Sequence, residues 1–392
     1  MTRAFWLSIR LHLTWLAEAL GKRGRQLAPL TLRRILILLI FVPAGLLLQL
    51  VHWIGFLLDE LFFRDYHEVE IKEPLIITGI PRSGTTFIHR TLSRDSGQFT
   101  TFRTWEAILA PSITERKVLQ AISLCDEQVG RPLHRFLDYL TEKLTGGFAD
   151  IHEVGLKAPE EDYLTLLPVG GCFIMVLAFP ASRSIWQLGR FHEIPDEHRA
   201  TLVSFYQACL KKHLYCAGPG KRLLSKNAAF GSWLTELRQT FPDARYIFCI
   251  RAPSKALSSQ LSSLRSGLEF FGTMPAADVV SLELQTVFAH VYRILLDETH
   301  SFLIDRLAII DQSQLKEETS ALLESSLRQL CIPISDELKT ILIEAGEESQ
   351  KHKSGHQHVP LVAKTGPTEF NSLVNDIYEE ILRHPYLKNN DR

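Results

Sequence analysis

The chain has 392 residues, of which 46% are hydrophobic and 22% are charged, and its formal net charge at pH 7 is −1. This length allows one large domain and an appendage, and the balanced charge excludes the strongly basic field that attracts nucleic acid. The six cysteines show no C-x-x-C pair and no metal-ligand spacing, which indicates reduced thiols rather than a disulfide framework or a zinc site.

Residues 1–65 are predicted to form a basic and hydrophobic segment that associates with a membrane. No residue from Ile35 to Leu58 carries a formal charge, and this stretch is long enough for a helix to cross a bilayer. Seven basic residues precede it against a single acid, Glu18. A buried helix of a soluble domain is the alternative, because proline, glycine, glutamine and histidine interrupt the apolar run.

Two placements are compatible with this charge pattern. A simple span would keep the basic N-terminus in the cytoplasm and export the rest of the chain, as in a Golgi-type lumenal protein. The absence of any Asn-x-Ser/Thr triplet and the unpaired cysteines favour another arrangement, in which residues 35–58 lie on or dip into the cytoplasmic face of a membrane and the basic cluster contacts anionic lipid. The sequence therefore predicts membrane association with a cytoplasmic site.

A glycine-rich loop, Gly79-Ile80-Pro81-Arg82-Ser83-Gly84-Thr85-Thr86, follows a predicted strand at 74–78 and precedes a predicted helix. The two glycines and the final hydroxyl keep the spacing of a phosphate loop, G-x-x-x-x-G-K-[ST], but Thr85 stands where the lysine belongs and the cation is Arg82. Backbone N–H groups at such a turn bind anions at the positive end of the helix dipole. The loop therefore predicts a phosphate or sulfate ligand and argues against ATP or GTP hydrolysis.

Short apolar runs at 222–225, 245–250 and 307–310 are further candidates for buried parallel strands. The section 111–215 is mostly helical in pattern, with 172–179 as either a strand or a buried helix, and apolar residues from Phe370 to Ile381 recur at helical spacing. The pattern predicts an α/β fold: a P-loop NTPase-like three-layer sandwich with a central, mostly parallel sheet and an N-terminal hydrophobic helical segment.

A second constellation lies downstream, where the strand at 245–250 ends at Arg251 and Ser259 follows eight residues later. An arginine at a strand end and a serine on the next helix can bind one phosphate. With the loop at 79–86, this order resembles the sulfotransferases that use 3′-phosphoadenosine 5′-phosphosulfate (PAPS), in the broad bacterial-type group related to tyrosylprotein sulfotransferase-like folds. The resemblance covers residues 73–387, which are expected to form the sulfotransferase domain.

The resemblance implies roles for individual residues. Those expected to hold the 5′-phosphosulfate are Arg82, Ser83, Gly84, Thr85 and Thr86, and those expected to hold the 3′-phosphate are Arg251 and Ser259. Lys226 matches the family lysine at the bridging region of the donor, although Asn227-Ala228 replaces the usual D-P or N-P step. Lys353 belongs to a K-S-x-H stretch and is a secondary candidate for donor binding.

The general base is expected to be Glu106, in Arg103-Thr104-Trp105-Glu106, or else His152. Arg82 and Lys226 would stabilise the transferring group without a metal, since sulfate carries less charge than phosphate. The predicted function is sulfuryl transfer from PAPS to a hydroxyl or amine of an acceptor, such as a lipid, a glycolipid or a glycan.

Two other function classes remain open from the sequence. A P-loop kinase or NTPase would need the missing lysine and a strand ending in a magnesium-binding acid, which Asp311 could mimic. A non-catalytic membrane-associated nucleotide-binding protein would tolerate loss of Arg82.

Overall fold

The computed structural model describes residues 1–132, 135, 155–351 and 368–384. Its centre is a five-stranded parallel sheet with the order β2-β3-β1-β4-β5. The strands, in chain order, are β1 (Leu75–Gly79), β2 (Phe99–Thr100), β3 (Arg222–Lys226), β4 (Arg245–Ile250) and β5 (Leu307–Asp311).

All four strands predicted from apolar runs are present, with ends that differ from the prediction by at most one residue. The edge strand β2 was not predicted, because two residues are too short to show a periodic pattern. The ambiguous stretch 172–179 is not a strand, since it contains the 3₁₀ helix Phe173–Leu177.

Side chains alternate along the strands between two separate hydrophobic cores. Ile76, Tyr246 and Phe248 enter the larger core on one face of the sheet. Leu75 and Ile247 enter the smaller core on the other face. Because both faces are covered, the sheet is the middle layer of three, and the predicted three-layer α/β fold is confirmed.

Helices form the outer layers. In chain order after the first strand they are α4 (Thr85–Leu92), α5 (Thr104–Ile108), α6 (Ile113–Gln128), α7 (Arg183–Gln187), α8 (Asp196–Ala217), α9 (Leu234–Thr240), α10 (Pro253–Phe271), α11 (Ala277–Thr299), α12 (Gln312–Glu317), α13 (Thr319–Gln329), α14 (Asp336–Lys351) and α15 (Thr368–Leu382). The short 3₁₀ helices are Arg64–Glu68, Asp162–Val169, Phe173–Leu177, Phe191–Glu193, Ala228–Trp233 and Met274–Ala276. In the terminal helix α15, Val374 and Ile381 are fully buried, as the helical spacing predicted.

Three helices precede the sheet: α1 (Thr2–Leu20), α2 (Lys22–Leu27) and α3 (Leu32–Phe62). Trp15 of α1 and Phe56 of α3 are buried in the larger core. Within the described residues, two helical stretches are long and apolar enough to cross a membrane, Leu32–Phe62 and Met274–Thr299. The second is 44% buried over its most apolar window and is a core helix, whereas the first is only 6% buried.

Candidate active site

The glycine-rich loop lies at the carboxyl end of the central strand β1, between β3 and β4. Gly79 has a φ of +131°, and a Cβ placed there would lie 2.1 Å from the carbonyl oxygen of Cys249 on β4. Gly84 has a φ of +98° and ends the loop as the N-cap of α4. Only glycine fits both positions without strain, so the sequence spacing of the two glycines reflects the backbone that the loop requires.

Arg82 lies inside the loop with a φ of +67°, in the left-handed region that a non-glycine residue seldom adopts. This conformation directs its side chain towards α10, where Nε donates a hydrogen bond of 3.2 Å to Ser259 Oγ. Arg251 follows β4 and donates from Nη1 to the backbone oxygen of Arg82 at 2.9 Å. The two predicted anion-binding elements therefore form a single cluster, Arg82, Arg251 and Ser259.

The electrostatics of this cluster favour a negatively charged ligand. Burial lowers the pKa of Arg82 and that of Arg251, and the charge of Arg82 lowers the pKa of Arg251 further. Among the described residues, no carboxylate lies within ion-pair distance of either guanidinium, and the buried Nε of Arg251 has no hydrogen-bond partner. Asp311 at the end of the neighbouring strand acts on Arg251 only at longer range. Two adjacent cations that form no ion pair are most stable when an anion binds between them.

The other predicted loop residues contribute in different ways. Ser83 is fully buried, and its hydroxyl donates to the backbone oxygen of Ile80 at 2.5 Å, so it holds the turn together. Thr85 and Thr86 occupy the first two positions of α4, where the helix dipole is positive. Their backbone N–H groups belong to the first turn and are available to an anion.

Lys226 ends β3, which pairs directly with β1 through Ile77 and Lys226. Its ammonium group is almost completely buried and forms an ion pair with Glu161, whose side chain is partly exposed. The strands on both sides of the glycine-rich loop thus end in a cation, Lys226 on one side and Arg251 on the other. Together with Arg82 inside the loop, these residues place three cationic side chains at the loop.

A buried polar network fixes the segment that carries Glu161. Asn227 contacts the carboxylate of Asp162 and accepts a hydrogen bond of 2.9 Å from the backbone N–H of Tyr163. Tyr206 of α8 donates to Asp162 at 2.8 Å. Burial raises the pKa of Asp162 to about 6. Ala228 stands where the family D-P or N-P step has its proline. The preceding Asn227 joins β3 to the 3₁₀ helix that begins at Asp162.

Glu106 lies in the first turn of α5. One carboxylate oxygen accepts from the backbone N–H of Arg103 at 2.8 Å, and the other lies 3.6 Å from Arg116 of α6. The segment pairs with the chain before Glu161, through a bridge between Arg103 and Pro159. Glu106 therefore caps a helix beside the lysine-bearing region, and its role as a base stays a prediction.

Two other predicted site residues, His152 and Lys353, lie outside the described residues. Sequence reasoning did not assign a site role to Glu161. It also missed His89 of α4, a fully buried histidine whose Nε2 lies 2.7 Å from the hydroxyl of Thr101. Burial and the charge of Lys226 lower the pKa of His89, so this imidazole is neutral behind the loop.

The structure offers no support for a magnesium-dependent NTPase site. Asp311 ends β5, which is two strands away from β1, and its carboxylate accepts from the N–H of Ser313 at 2.8 Å and from the hydroxyl of Tyr378 at 2.6 Å. Among the residues that the structure describes, no group of three or more His, Cys, Asp or Glu side chains could hold a metal. An acid in this position acts as a helix cap.

Comparison with known proteins agrees with this geometry. Residues 181–336 match the model of the sulfotransferase family, a range that contains Lys226, Arg251 and Ser259. No curated protein matches the sequence. Sulfotransferase STF1 from Mycobacterium tuberculosis H37Rv is similar in fold, with a TM-score of 0.69 and 16% identity over 94% of this chain and 92% of that one. Sulfotransferase STF9 from Mycobacterium avium has a TM-score of 0.61 and 17% identity over 84% and 80%.

Proposed function

We propose that the chain is a sulfotransferase and that it transfers a sulfuryl group from PAPS to a hydroxyl or amine of an acceptor. The observation that carries this proposal is the contact of Arg82 with both Ser259 and Arg251. It joins the anion-binding loop to a second cation and a hydroxyl on the neighbouring strand and helix. A donor with phosphate groups at two ends requires such a paired site, whereas a nucleoside triphosphate requires the lysine that Thr85 replaces.

In this proposal the donor is held by residues of three strand ends. The loop N–H groups of residues 82–86 bind the 5′-phosphosulfate, and Arg251 with Ser259 binds the 3′-phosphate. The fit is supported by the unpartnered Nε of Arg251. Lys226 reaches the bridging region from the other side of the loop.

The reaction is a displacement at sulfur. The acceptor oxygen or nitrogen forms a bond to sulfur while the bond from sulfur to the 5′-phosphate oxygen breaks, and 3′-phosphoadenosine 5′-phosphate (PAP) leaves with the electron pair. Arg82 and Lys226 stabilise the charge that develops on the equatorial and leaving oxygens, which supplies the electrostatic term without a metal. The acceptor proton passes to a general base, for which Glu106 is the proposed residue and His152 the other candidate.

The Lys226–Glu161 pair adds a step to donor binding. Lys226 can contact the donor only if its ammonium leaves Glu161 or shares its hydrogen bonds between the two. The freed carboxylate of Glu161 then lies beside the reaction centre. The exposed apolar surface of α1 and α3 supports an amphiphilic acceptor, such as a lipid or glycolipid.

Calorimetry with PAP tests the proposal. We expect micromolar binding that Arg251→Ala abolishes. A suitable control is Arg265→Ala on helix α10, which follows Arg251, because Arg265 pairs only with Glu269 on the exposed face in the described structure. Binding of ATP that depends on magnesium, together with no binding of PAP, would refute the proposal in favour of an NTPase.

Transfer itself is tested with radiolabelled PAPS. We expect label from the donor to enter a lipid extract and not a mixture of water-soluble glycans. PAP binding without any transfer to either mixture would favour a non-catalytic nucleotide-binding protein.

A further inference from the structure

Helix α3 has the opposite polarity to a surface helix of a soluble protein. Three polar side chains along its length face the protein: Arg34, His52 and Asp59 are each at most 1% exposed. Its solvent side is apolar, and the large exposed residues on it are Leu32, Ile35, Leu36, Leu39, Ile40, Leu46, Leu47, Leu50, Val51, Ile54, Leu57, Leu61 and Phe62. A helix in water places its apolar stripe inwards and its charges outwards. The inverted pattern is typical of a protein surface that contacts lipid.

Both ends of α3 are attached to the same globular domain. At its start, the guanidinium of Arg34 donates to the backbone oxygens of Ala178 and Phe271, both at 3.1 Å. Phe271 is the last residue of α10, the helix that carries Ser259. The first turn of α3 is therefore held against the helix that supports the candidate active site.

Two buried contacts between polar side chains hold the other half of α3. His52 lies 2.6 Å from Glu115 of α6. The carboxylate of Asp59 lies 2.8 Å from the ammonium of Lys212 on α8, and both side chains are fully buried. The last turn of α3 is thus held by two further helices of the same domain.

This double attachment decides how the helix can meet a bilayer. The 31 residues of α3 extend about 46 Å, which exceeds the thickness of the hydrocarbon core. If α3 crossed the bilayer, its two ends would lie on opposite sides of the membrane. Arg34 and Asp59, near the two ends, contact the same domain, which cannot be on both sides. A helix that lies parallel to the surface keeps both contacts.

We propose that the exposed apolar face of α3, together with that of α1, inserts into one leaflet of an anionic membrane and places the candidate active site beside the lipid surface. The neighbouring face of α1 contributes Trp6 and Leu13, which are 63% and 62% exposed. Tryptophan is enriched at membrane interfaces, where its ring contacts both acyl chains and headgroups.

Charge complementarity selects an anionic lipid as the occupant. The exposed cations of α1, α2 and the start of α3 are Arg3, Arg10, Lys22, Arg23, Arg25 and Arg33. Glu18 is the single acid in residues 1–34. An apolar face next to a basic cluster fits a lipid surface, since the acyl region takes the apolar residues and anionic headgroups take the cations.

Vesicle flotation tests the contact. The full chain is mixed with vesicles of phosphatidylcholine containing about one third phosphatidylglycerol, and we expect it to float with them. The triple variant Leu36→Gln/Leu39→Gln/Ile40→Gln should bind at least about tenfold more weakly, because it removes three exposed apolar side chains from the face.

A matched control changes the same kind of side chain elsewhere. Leu303→Gln/Ile304→Gln/Ile343→Gln alters residues that are 69%, 56% and 50% exposed. Ile343 belongs to α14, which packs on the smaller core across the sheet from α3. We expect this variant to bind vesicles like the native chain. Circular dichroism and unfolding midpoints establish that both triple variants are folded.

Labelling distinguishes one leaflet from a span. Exposed Cys125, Cys216 and Cys331 are replaced by serine, and single cysteines are introduced by Gln26→Cys, before α3, or Asp65→Cys, after it. With the protein in sealed membranes, an impermeant maleimide should label both positions equally before and after detergent is added. Protection of one position until detergent is added would show a span and overturn the proposal.

Two further results would also overturn it. One is a native chain that does not float with anionic vesicles. The other is equal binding by the native chain and by the α3 variant. The native chain could instead fail to bind vesicles and form a stable dimer that the α3 variant abolishes. That result would assign the apolar face to a second copy of the chain.

Discussion

Replacement of Asp59 by alanine should destabilise the protein strongly, because this residue compensates a buried charge and also accepts hydrogen bonds at the start of a helix. Its carboxylate accepts from Lys212 Nζ at 2.8 Å and from the backbone N–H groups of Ile113 and Thr114 at 2.9 and 2.8 Å. Lys212 also lies 3.8 Å from the centre of the Tyr66 ring. No other carboxylate of the described residues forms an ion pair with Lys212.

The magnitude follows from what the substitution leaves behind. An ammonium that remains buried without its partner costs about 3–5 kcal/mol. The N-cap of α6, Ser112, remains, but loss of the hydrogen bonds from the N–H groups of Ile113 and Thr114 adds about 1 kcal/mol. The expected loss in free energy of unfolding for Asp59→Ala is therefore about 4–6 kcal/mol, a large share of the stability of a typical domain.

Urea unfolding in a fixed concentration of a non-ionic detergent, followed by tryptophan fluorescence, measures this loss. Asp59→Ala/Lys212→Met should recover at least about 2 kcal/mol of it, because the buried charge is then absent. Asp65→Ala is the matched control, since Asp65 is an exposed acid just after α3, and should change stability by less than about 0.5 kcal/mol. A cost below about 1 kcal/mol for Asp59→Ala, or no recovery in the double variant, would refute the docking of α3 on the domain.

Three further substitutions test the site and its support. Gly79→Ala should lower the free energy of unfolding by at least about 2 kcal/mol, because its Cβ would lie 2.1 Å from a backbone oxygen at a φ of +131°. The control Gly45→Ala, where a Cβ meets open space, should be neutral or stabilising. Equal effects of the two substitutions would refute this interpretation of the loop. Burial raises the pKa of Asp162 from 3.8 to about 6, so its contribution to stability is present below pH 3.8 and is lost as pH rises through about 6. Urea titrations measure the free energy of unfolding of Asp162→Asn minus that of the native chain. This difference should rise by about 2–3 kcal/mol from about pH 4 to about pH 8, and a difference that does not change with pH would contradict the buried carboxyl. Glu161→Gln should tighten PAP binding about fivefold in calorimetry, for about 1 kcal/mol, because Lys226 no longer has a competing carboxylate; weaker binding would mean that Glu161 orients Lys226 towards the donor.

The strands and the anion-binding loop were predictable because their signals are local. An apolar run bounded by turn residues identifies each of four strands, and the spacing of Gly79 and Gly84 follows from backbone conformations that only glycine adopts easily. The order of Arg82, Arg251 and Ser259 along the chain placed them in one site, and their binding of the donor stays a prediction. Their direct contact through Arg82 required the structure, because it depends on the left-handed conformation of that residue.

The partner of Lys226 could not be predicted, since Glu161 reaches it only through a network of buried groups. Asp162 contacts Asn227 and Tyr206, which come from a strand end and a helix far along the chain. Such tertiary contacts leave no periodic pattern in the sequence. The acids at 160–162 are typical of a helix start, and a 3₁₀ helix does begin at Asp162, but Asp162 is buried and Glu161 pairs with Lys226.

The orientation of α3, by contrast, can be predicted from the sequence, but not from a hydropathy profile. Arg34, His52 and Asp59 are separated by 18 and 7 residues, which are about five and two turns of a helix, so they share one face. A hydropathy window places Arg34 and Asp59 at the ends of a membrane span and His52 as an interruption of it, and it ignores which face of the helix they share. Their common face instead predicts a protein-facing polar stripe with an apolar face opposite.

The attachment of α3 also connects the proposed lipid surface to the proposed chemistry. Asp59 accepts hydrogen bonds from the start of α6, and Arg116 of α6 lies 3.6 Å from Glu106 and donates to the backbone oxygen of Ala110 at 3.0 Å. Helix α6 thus contacts both α3, the helix that would contact lipid, and Glu106, the candidate base. An acceptor that enters from one leaflet would approach from the side of Glu106, while the donor, bound by Arg251 and loop residues, would enter from water. Under this proposal, separate entry routes would let a single site combine a soluble nucleotide with an insoluble acceptor.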